Sequence, residues 1–150
     1  MNTLSHKLNI NQGISVSVIV PAYNAAEYID QCLNSIQRQS LERFEVIVVN
    51  DGSTDESEEI IERFVSSDNR FKLVSLGTNR GLPAARNAGV KEATGKYLVH
   101  IDSDDFWLDS QTLEILYTTA ILENTQILRF NGLDFENGSL GGPIIPAFPA

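Results

Sequence analysis

Apolar and polar positions along the chain follow two alternating periods. Four continuous apolar runs read as buried strands rich in β-branched and aromatic residues: VSVIVPAYN (16–24, turning at Pro21), FEVIVVNDGS (44–53), FKLVSL (71–76) and KYLVHI (96–101). Between them lie segments with apolar residues at helical spacing. The first, AAEYIDQCLNSIQRQ, places Tyr28, Ile29, Cys32, Leu33 and Ile36 on one face. The second turns Ile60, Ile61, Phe64 and Val65 inward, and Ser53 with Glu56 has the spacing of a capping box at its start. GLPAARNAGVKEAT predicts a third helix, with Pro83 in its first turn and Gly95 past its end. Ser110 is the expected cap of a fourth, with Leu113, Leu116, Tyr117, Ala120 and Ile121 on one face, and QILRFNG (126–132) is the expected fifth strand.

Strand and helix therefore alternate four times before a last strand. That order predicts an α/β fold with a mostly parallel central sheet and helices on both faces. No internal repeat or low-complexity tract interrupts it. Residues 1–13 read as a flexible leader, and 139–150 as a Gly- and Pro-rich tail without a regular period.

Composition narrows the possible partners. The chain has 150 residues and is 42% hydrophobic, enough for one domain with a real core. A net charge of -9 argues against a nucleic-acid binder, which shows a basic face. It still allows a small anionic ligand when a metal cation bridges the charges. The single cysteine, Cys32, forms no internal disulfide and is expected to be a small core residue, in keeping with a cytoplasmic, reducing setting. No segment approaches the roughly 20 apolar residues of a membrane span, and the start of the chain has no apolar run of signal-peptide type.

In open α/β sheets, ligands bind beyond the carboxyl ends of the strands. Three strands here end in polar groups: Pro21-Ala22-Tyr23-Asn24, Asn50-Asp51-Gly52-Ser53 and Asp102-Ser103-Asp104-Asp105. If those strands are neighbours, the three clusters share one rim. The acids of the third cluster repel one another unless a positive charge sits among them. An Asp-x-Asp pair supplies hard oxygen ligands suited to Mg²⁺ or Mn²⁺, although a solvated, helix-capping turn has the same sequence. Asp51 is either a plain turn residue bonded to nearby amides or an acceptor for a ligand N–H. Tyr23 is either a rim aromatic or a stacking platform for a flat base. Arg86 either reaches a phosphate or lies on a solvated helix face. His100 reads as structural within its strand, His6 falls in the leader, and Phe106 and Trp107 are expected to plug the base of the acidic turn.

Taken together, VSVIVPAYNAAEYIDQCLNSIQRQS, FEVIVVNDGSTDES and NRGLPAARNAGVKEATGKYLVHIDSDDFW resemble, in order and spacing, the donor-binding half of family 2 glycosyltransferases, over about 16–138. The resemblance implies the GT-A fold, a Rossmann-like three-layer arrangement, with 14–138 as its nucleotide-sugar-binding half. It implies that Pro21 and Tyr23 lie against the nucleotide base, that Asp51 accepts from the uracil ring and that Asp102 meets the ribose. Asp104 would hold Mn²⁺ or Mg²⁺ on the diphosphate, and Arg86 matches the family's helix arginine. The implied activity is inverting transfer of a hexose from a sugar nucleotide, a UDP-sugar, to a hydroxyl of a sugar, glycan or lipid-linked acceptor. The products would be polysaccharide, lipopolysaccharide or glycolipid, made in the cytoplasm or at the inner membrane face.

The sequence also departs from the family pattern. The family's later catalytic base and its Gln-x-x-Arg-Trp segment are not found, and after Asn131 the only acids are Asp134 and Glu136. The expectation is a fragment that binds nucleotide but is inactive alone, with its catalytic base beyond Ala150 and the tail leading to an absent acceptor-binding part. A dinucleotide-binding oxidoreductase and a sugar-phosphate nucleotidyltransferase both need glycines after the first strand, where this chain has PAYNAAEY. The remaining alternative is a non-catalytic nucleotide-binding or protein-interaction α/β module.

Overall fold

A computed structural model describes residues 13–128, 130, 132–136 and 139–144. The chain forms two compact units, Met1–Tyr117 and Thr118–Ala150. The first contains strands β1 (Val16–Ala22), β2 (Phe44–Asn50), β3 (Phe71–Ser75) and β4 (Tyr97–His100), with helices α1 (Ile29–Gln37), α2 (Ser57–Ser67) and α3 (Leu82–Glu92) between them. Helix α4 (Thr112–Leu122) leads into the second unit. The four strands form a parallel sheet in the order β3-β2-β1-β4.

All seven residues of β1 and all seven of β2 are buried, as central strands covered on both faces must be. On one face Val18, Val20, Val46 and Val48 pack with Ile29, Cys32, Leu33 and Ile36 of α1, Ile61 and Phe64 of α2, and Leu113 of α4. On the other face Ile47 and Val49 meet Ala85 of α3, with Ala88 alongside. The small residues of α3 let it lie close to the sheet. A Cβ on Gly89 would stand 2.5 Å from Cγ2 of Ile19, so no larger residue fits there. This is the three-layer α/β architecture that the alternation predicts, and Cys32 is the buried core thiol expected of it.

Several local expectations are corrected. Helix α1 starts at Ile29, and Tyr28, expected on its inward face, is its N-cap and is 47% exposed. Helix α2 starts at Ser57 without a Ser53–Glu56 box: Asp55 Oδ1 accepts from the Ser57 amide at 3.0 Å, while Ser53 Oγ accepts from Asn24 N. Asp109, not Ser110, serves the start of α4, accepting from the amide of Gln111 at 2.7 Å. His100 is exposed on β4, which is an edge strand among the described residues. Partial desolvation and the charge of Arg86 hold its imidazole below the ordinary value.

The second unit also differs from expectation. Residues 126–128 have no regular structure, so the expected fifth strand over 126–132 is not present there. Instead β5 (Gly132–Glu136) pairs antiparallel with β6 (Ser139–Ile144), and β6 falls within the stretch expected to be an irregular tail. Pro143 sits on this two-stranded ladder, where a missing N–H is tolerated. Most of the expected leader, 1–12, and the end of the tail, 145–150, lie outside the described residues.

At the amino ends of the strands, away from their polar tips, Glu45 is 3% exposed. Its Oε1 accepts from Ser17 Oγ, Thr94 N and Thr94 Oγ1, and its Oε2 from Lys72 Nζ, all at 2.7 Å. Burial alone would raise its pKa, but these four donors outweigh burial and bring it down to about 2. The cluster ties β1, β2, β3 and the α3–β4 turn together.

Candidate functional site

The strand order makes β1 the neighbour of both β2 and β4, so the three polar strand tips fall side by side. They border a cleft of about 450 Å³ lined by Pro21, Tyr23, Asp51, Asp102 and Asp104, together with Tyr28, Asn79 and Leu82. Five of the six residues singled out from sequence therefore line one cleft. The sixth, Arg86, reaches it indirectly: its guanidinium donates to Asp102 Oδ1 at 2.7 Å.

The floor of the cleft is set by backbone register. Ala22 pairs with Asn50, and the carbonyl of Ala22 accepts from the amide of Asp51 at 2.8 Å. Asp51 is 3% exposed, and both of its oxygens are engaged: Oδ1 accepts from Arg80 N and Oδ2 from Gly81 N, each at 2.8 Å. Asp51 thus does bond to backbone amides, but to those of the distant β3–α3 loop rather than to those of its own turn, as a plain turn residue would. A carboxylate oxygen has a second lone pair, so these bonds leave Asp51 able to accept from a ligand as well. Gly52 has φ +74°, and a Cβ there would come 2.6 Å from the Thr78 carbonyl carbon. Only glycine allows this loop to cross so closely.

One wall is a pair of loops laced to each other. Asn24, at φ 48°, accepts through Oδ1 from the amide of Thr54 at 2.8 Å. Asp55 Oδ2 accepts from Ala26 N at 3.0 Å, and the buried Ser57 Oγ accepts from Ala25 N at 2.8 Å. These bonds hold the β1–α1 loop, and with it Tyr23, against the β2–α2 loop. Local sequence patterns do not reveal them, because each joins residues about 30 apart. The one local hint is a run of short polar side chains at both strand ends.

The opposite wall is the acidic turn after β4 and the segment that follows it, pinned by α1 and by Gln39 just past its end. Cys32 Sγ donates to the Asp102 carbonyl at 3.6 Å, and Ser35 Oγ accepts from Trp107 N at 3.1 Å. The buried Gln39 donates to the Asp109 carbonyl and accepts from Leu113 N, each at 2.8 Å. Trp107 is buried beneath the turn as expected; Phe106 is partly exposed. The positive charge among the acids is that of Arg86, so Arg86 is an ion-pair partner rather than an arginine on an open helix face. Arg86 Nε is buried and has no hydrogen-bond partner among the described residues.

The acids leave an electrostatic mark on their surroundings. Burial, followed by the charges of Asp104 and Asp102, raises the pKa of Asp105. Burial, helped by Asp105, Asp104 and Asp102, pushes the Cys32 thiol up to about 12, so it stays protonated and is a poor nucleophile. Among the described residues no group of three or more His, Cys, Asp or Glu is placed to enclose a metal. A site with one or two carboxylates suits a cation that completes its shell with water and a ligand's phosphates.

Residues 17–132 match the model of glycosyl transferase family 2. The chain belongs to this family. It is 44% identical over 121 residues to the glycosyltransferase GlyA of Streptococcus pneumoniae, covering 81% of this chain and 17% of GlyA. It superposes on S. aureus TarS 1-349, solved in complex with UDP-GlcNAc, with a TM-score of 0.66 and 38% identity, covering 74% of this chain and 32% of that one. The mannosyltransferase PcManGT of Pyrobaculum calidifontis, solved with GDP-Man and Mn²⁺, aligns with a TM-score of 0.63 and 33% identity over 67% of this chain and 30% of that one. The fold is therefore that of the GT-A glycosyltransferases. The chain spans about a third or less of the length of these relatives. No helix among the described residues is long and apolar enough to cross a membrane.

Proposed function

We propose that this chain supplies the donor site of an inverting glycosyltransferase, and that its cleft takes a UDP-sugar. The observation that carries the reading is the convergence of Tyr23, Asp51, Asp102 and Asp104, from three strand tips, on one cleft. The solved relatives that hold UDP-GlcNAc and GDP-Man support a nucleotide sugar as the ligand class. Tyr23, exposed at the cleft, offers its ring to the base, and Asp51 accepts from the uracil N–H beside it. Asp102 keeps Oδ2 for a ribose hydroxyl while Arg86 occupies Oδ1.

Asp104 is exposed at the cleft and offers hard oxygen donors, which fit Mn²⁺ or Mg²⁺. Such a cation, when bound, neutralises charge on the departing diphosphate. In the transfer, an acceptor oxygen bonds to the anomeric carbon from the face opposite the diphosphate. The bond to the phosphate oxygen breaks with its electrons, and the acceptor's proton passes to a general base. Among the described residues no side chain is assigned as that base. The acceptor class remains a sugar, glycan or lipid-linked hydroxyl.

Titration calorimetry with UDP, CDP and GDP, each with Mn²⁺ and with chelator, tests the reading. UDP binding that is strengthened by Mn²⁺ is the expected result. No binding of any nucleoside diphosphate, or binding indifferent to the base, overturns it.

A further inference from the structure

Two exposed tyrosines line the cleft, and each neighbours a different strand tip. Tyr23 follows Ala22, whose carbonyl accepts from the Asp51 amide at 2.8 Å, so it stands beside Asp51. Tyr28 is the N-cap of α1. One helical turn later, Cys32 touches the Asp102 carbonyl through its thiol at 3.6 Å. Residues four apart share a helix face, so Tyr28 stands over the acidic turn that carries Asp104.

The electrostatics agree with this placement. A hydrogen bond to Glu27 and its charge raise the phenol's pKa, and Asp104 adds to the rise. Tyr28 has the spacing of a core residue but remains 47% exposed, so the core does not account for an aromatic at this position.

We propose that the ring of Tyr28 is the surface on which the sugar of a bound sugar nucleotide packs, which makes Tyr28 a specificity-determining residue for the donor sugar. The inference rests on the donor-site reading above. With the base at Tyr23 and Asp51 and the diphosphate at Asp104, the group attached to the distal phosphate extends toward the Tyr28 end. The C–H faces of a hexose suit the electron-rich face of an aromatic ring.

The test is calorimetry with UDP and with UDP-glucose, UDP-galactose and UDP-GlcNAc in the presence of Mn²⁺, on the parent, Tyr28→Ala and Tyr28→Phe. Tyr28→Ala is expected to leave UDP affinity within about twofold of the parent. It is expected to weaken the parent's preferred UDP-sugar by about three- to tenfold, the range of a lost aromatic contact. Tyr28→Phe, which keeps the ring, is expected to match the parent. Equal losses for UDP and UDP-sugar would assign Tyr28 to the diphosphate or to cleft shape and overturn the inference. Unchanged UDP-sugar binding by Tyr28→Ala, or a parent that binds UDP but no UDP-sugar, overturns it too. A parent that binds no uridine nucleotide sinks the donor-site reading itself, and this inference with it.

Discussion

Arg86 donates from α3 to Asp102 Oδ1 at 2.7 Å, tying a helix on one face of the sheet to the turn after β4. Both side chains are more than a third exposed. Such a pair contributes about 0–1 kcal/mol to stability. Its larger effect is local, since it is the counter-charge beside Asp102, Asp104 and Asp105. Arg86→Ala should therefore melt close to the parent yet bind UDP with Mn²⁺ several-fold more weakly. A large fall in melting temperature without a change in affinity would make the pair structural.

Asp51 holds the amides of Arg80 and Gly81 and is also the proposed reader of uracil. Asp51→Asn turns one acceptor oxygen into an NH₂ group facing a backbone donor. The loss should be about 1–3 kcal/mol, measured by urea unfolding. Asp51→Ala should weaken UDP and CDP together through the freed loop, and should in addition erode the preference for UDP. A preserved UDP/CDP ratio would confine Asp51 to its role in the loop.

Asp104 has no bond to a neighbouring side chain among the described residues' hydrogen bonds, so its replacement tests the metal with little structural disturbance. Asp104→Asn should bind UDP in Mn²⁺ about as poorly as the parent does with chelator. If Mn²⁺ enhances the variant as much as the parent, Asp104 is not a metal ligand.

Glu45 gives a pH dependence far from the cleft. Its folded pKa is about 2 against an ordinary 4.5. As pH falls the unfolded chain takes up the proton first, so protonation favours unfolding. The stability contributed by Glu45 is fully present above about pH 4.5 and is lost as pH falls through about 2, and the shift corresponds to something on the order of 3 kcal/mol. Glu45→Gln should be less stable by that order at pH 7, with the gap closing below about pH 4.5. A gap that stays constant down to pH 2 would rule out this origin.

Much of the architecture is legible in the sequence because periodicity and burial agree. The fully apolar β1 and β2 and the amphipathic α1 and α2 have one way to hide their residues. Cap positions and the end of the described chain read less well. Ser53, Asp55 and Ser57 are chemically similar candidates, and the contact that selects among them comes from Asn24 and Ala25, in a loop about 30 residues earlier. QILRFNG has strand composition, but among the described residues the pairing starts only at its end, joining Gly132–Glu136 to Ser139–Ile144. At the cleft, the residues at strand tips are visible in sequence. Arg86's pairing and the outward placement of Tyr28 are not, because both depend on how α3 and α1 meet the sheet.

The two sides of the cleft also differ in how firmly they are built into the sheet. Tyr23 and Asp51 extend from β1 and β2, each a seven-residue strand buried throughout and paired over its whole length. Asp102 and Asp104 follow a four-residue strand of alternating exposure that is at the sheet's edge among the described residues. Substitutions beside β1 and β2 disturb the centre of the sheet, whereas the exposed Tyr28 and Asp104 can change with little effect on it. A scaffold of this kind holds the geometry at one end of its ligand constant and leaves the other end open to diversification.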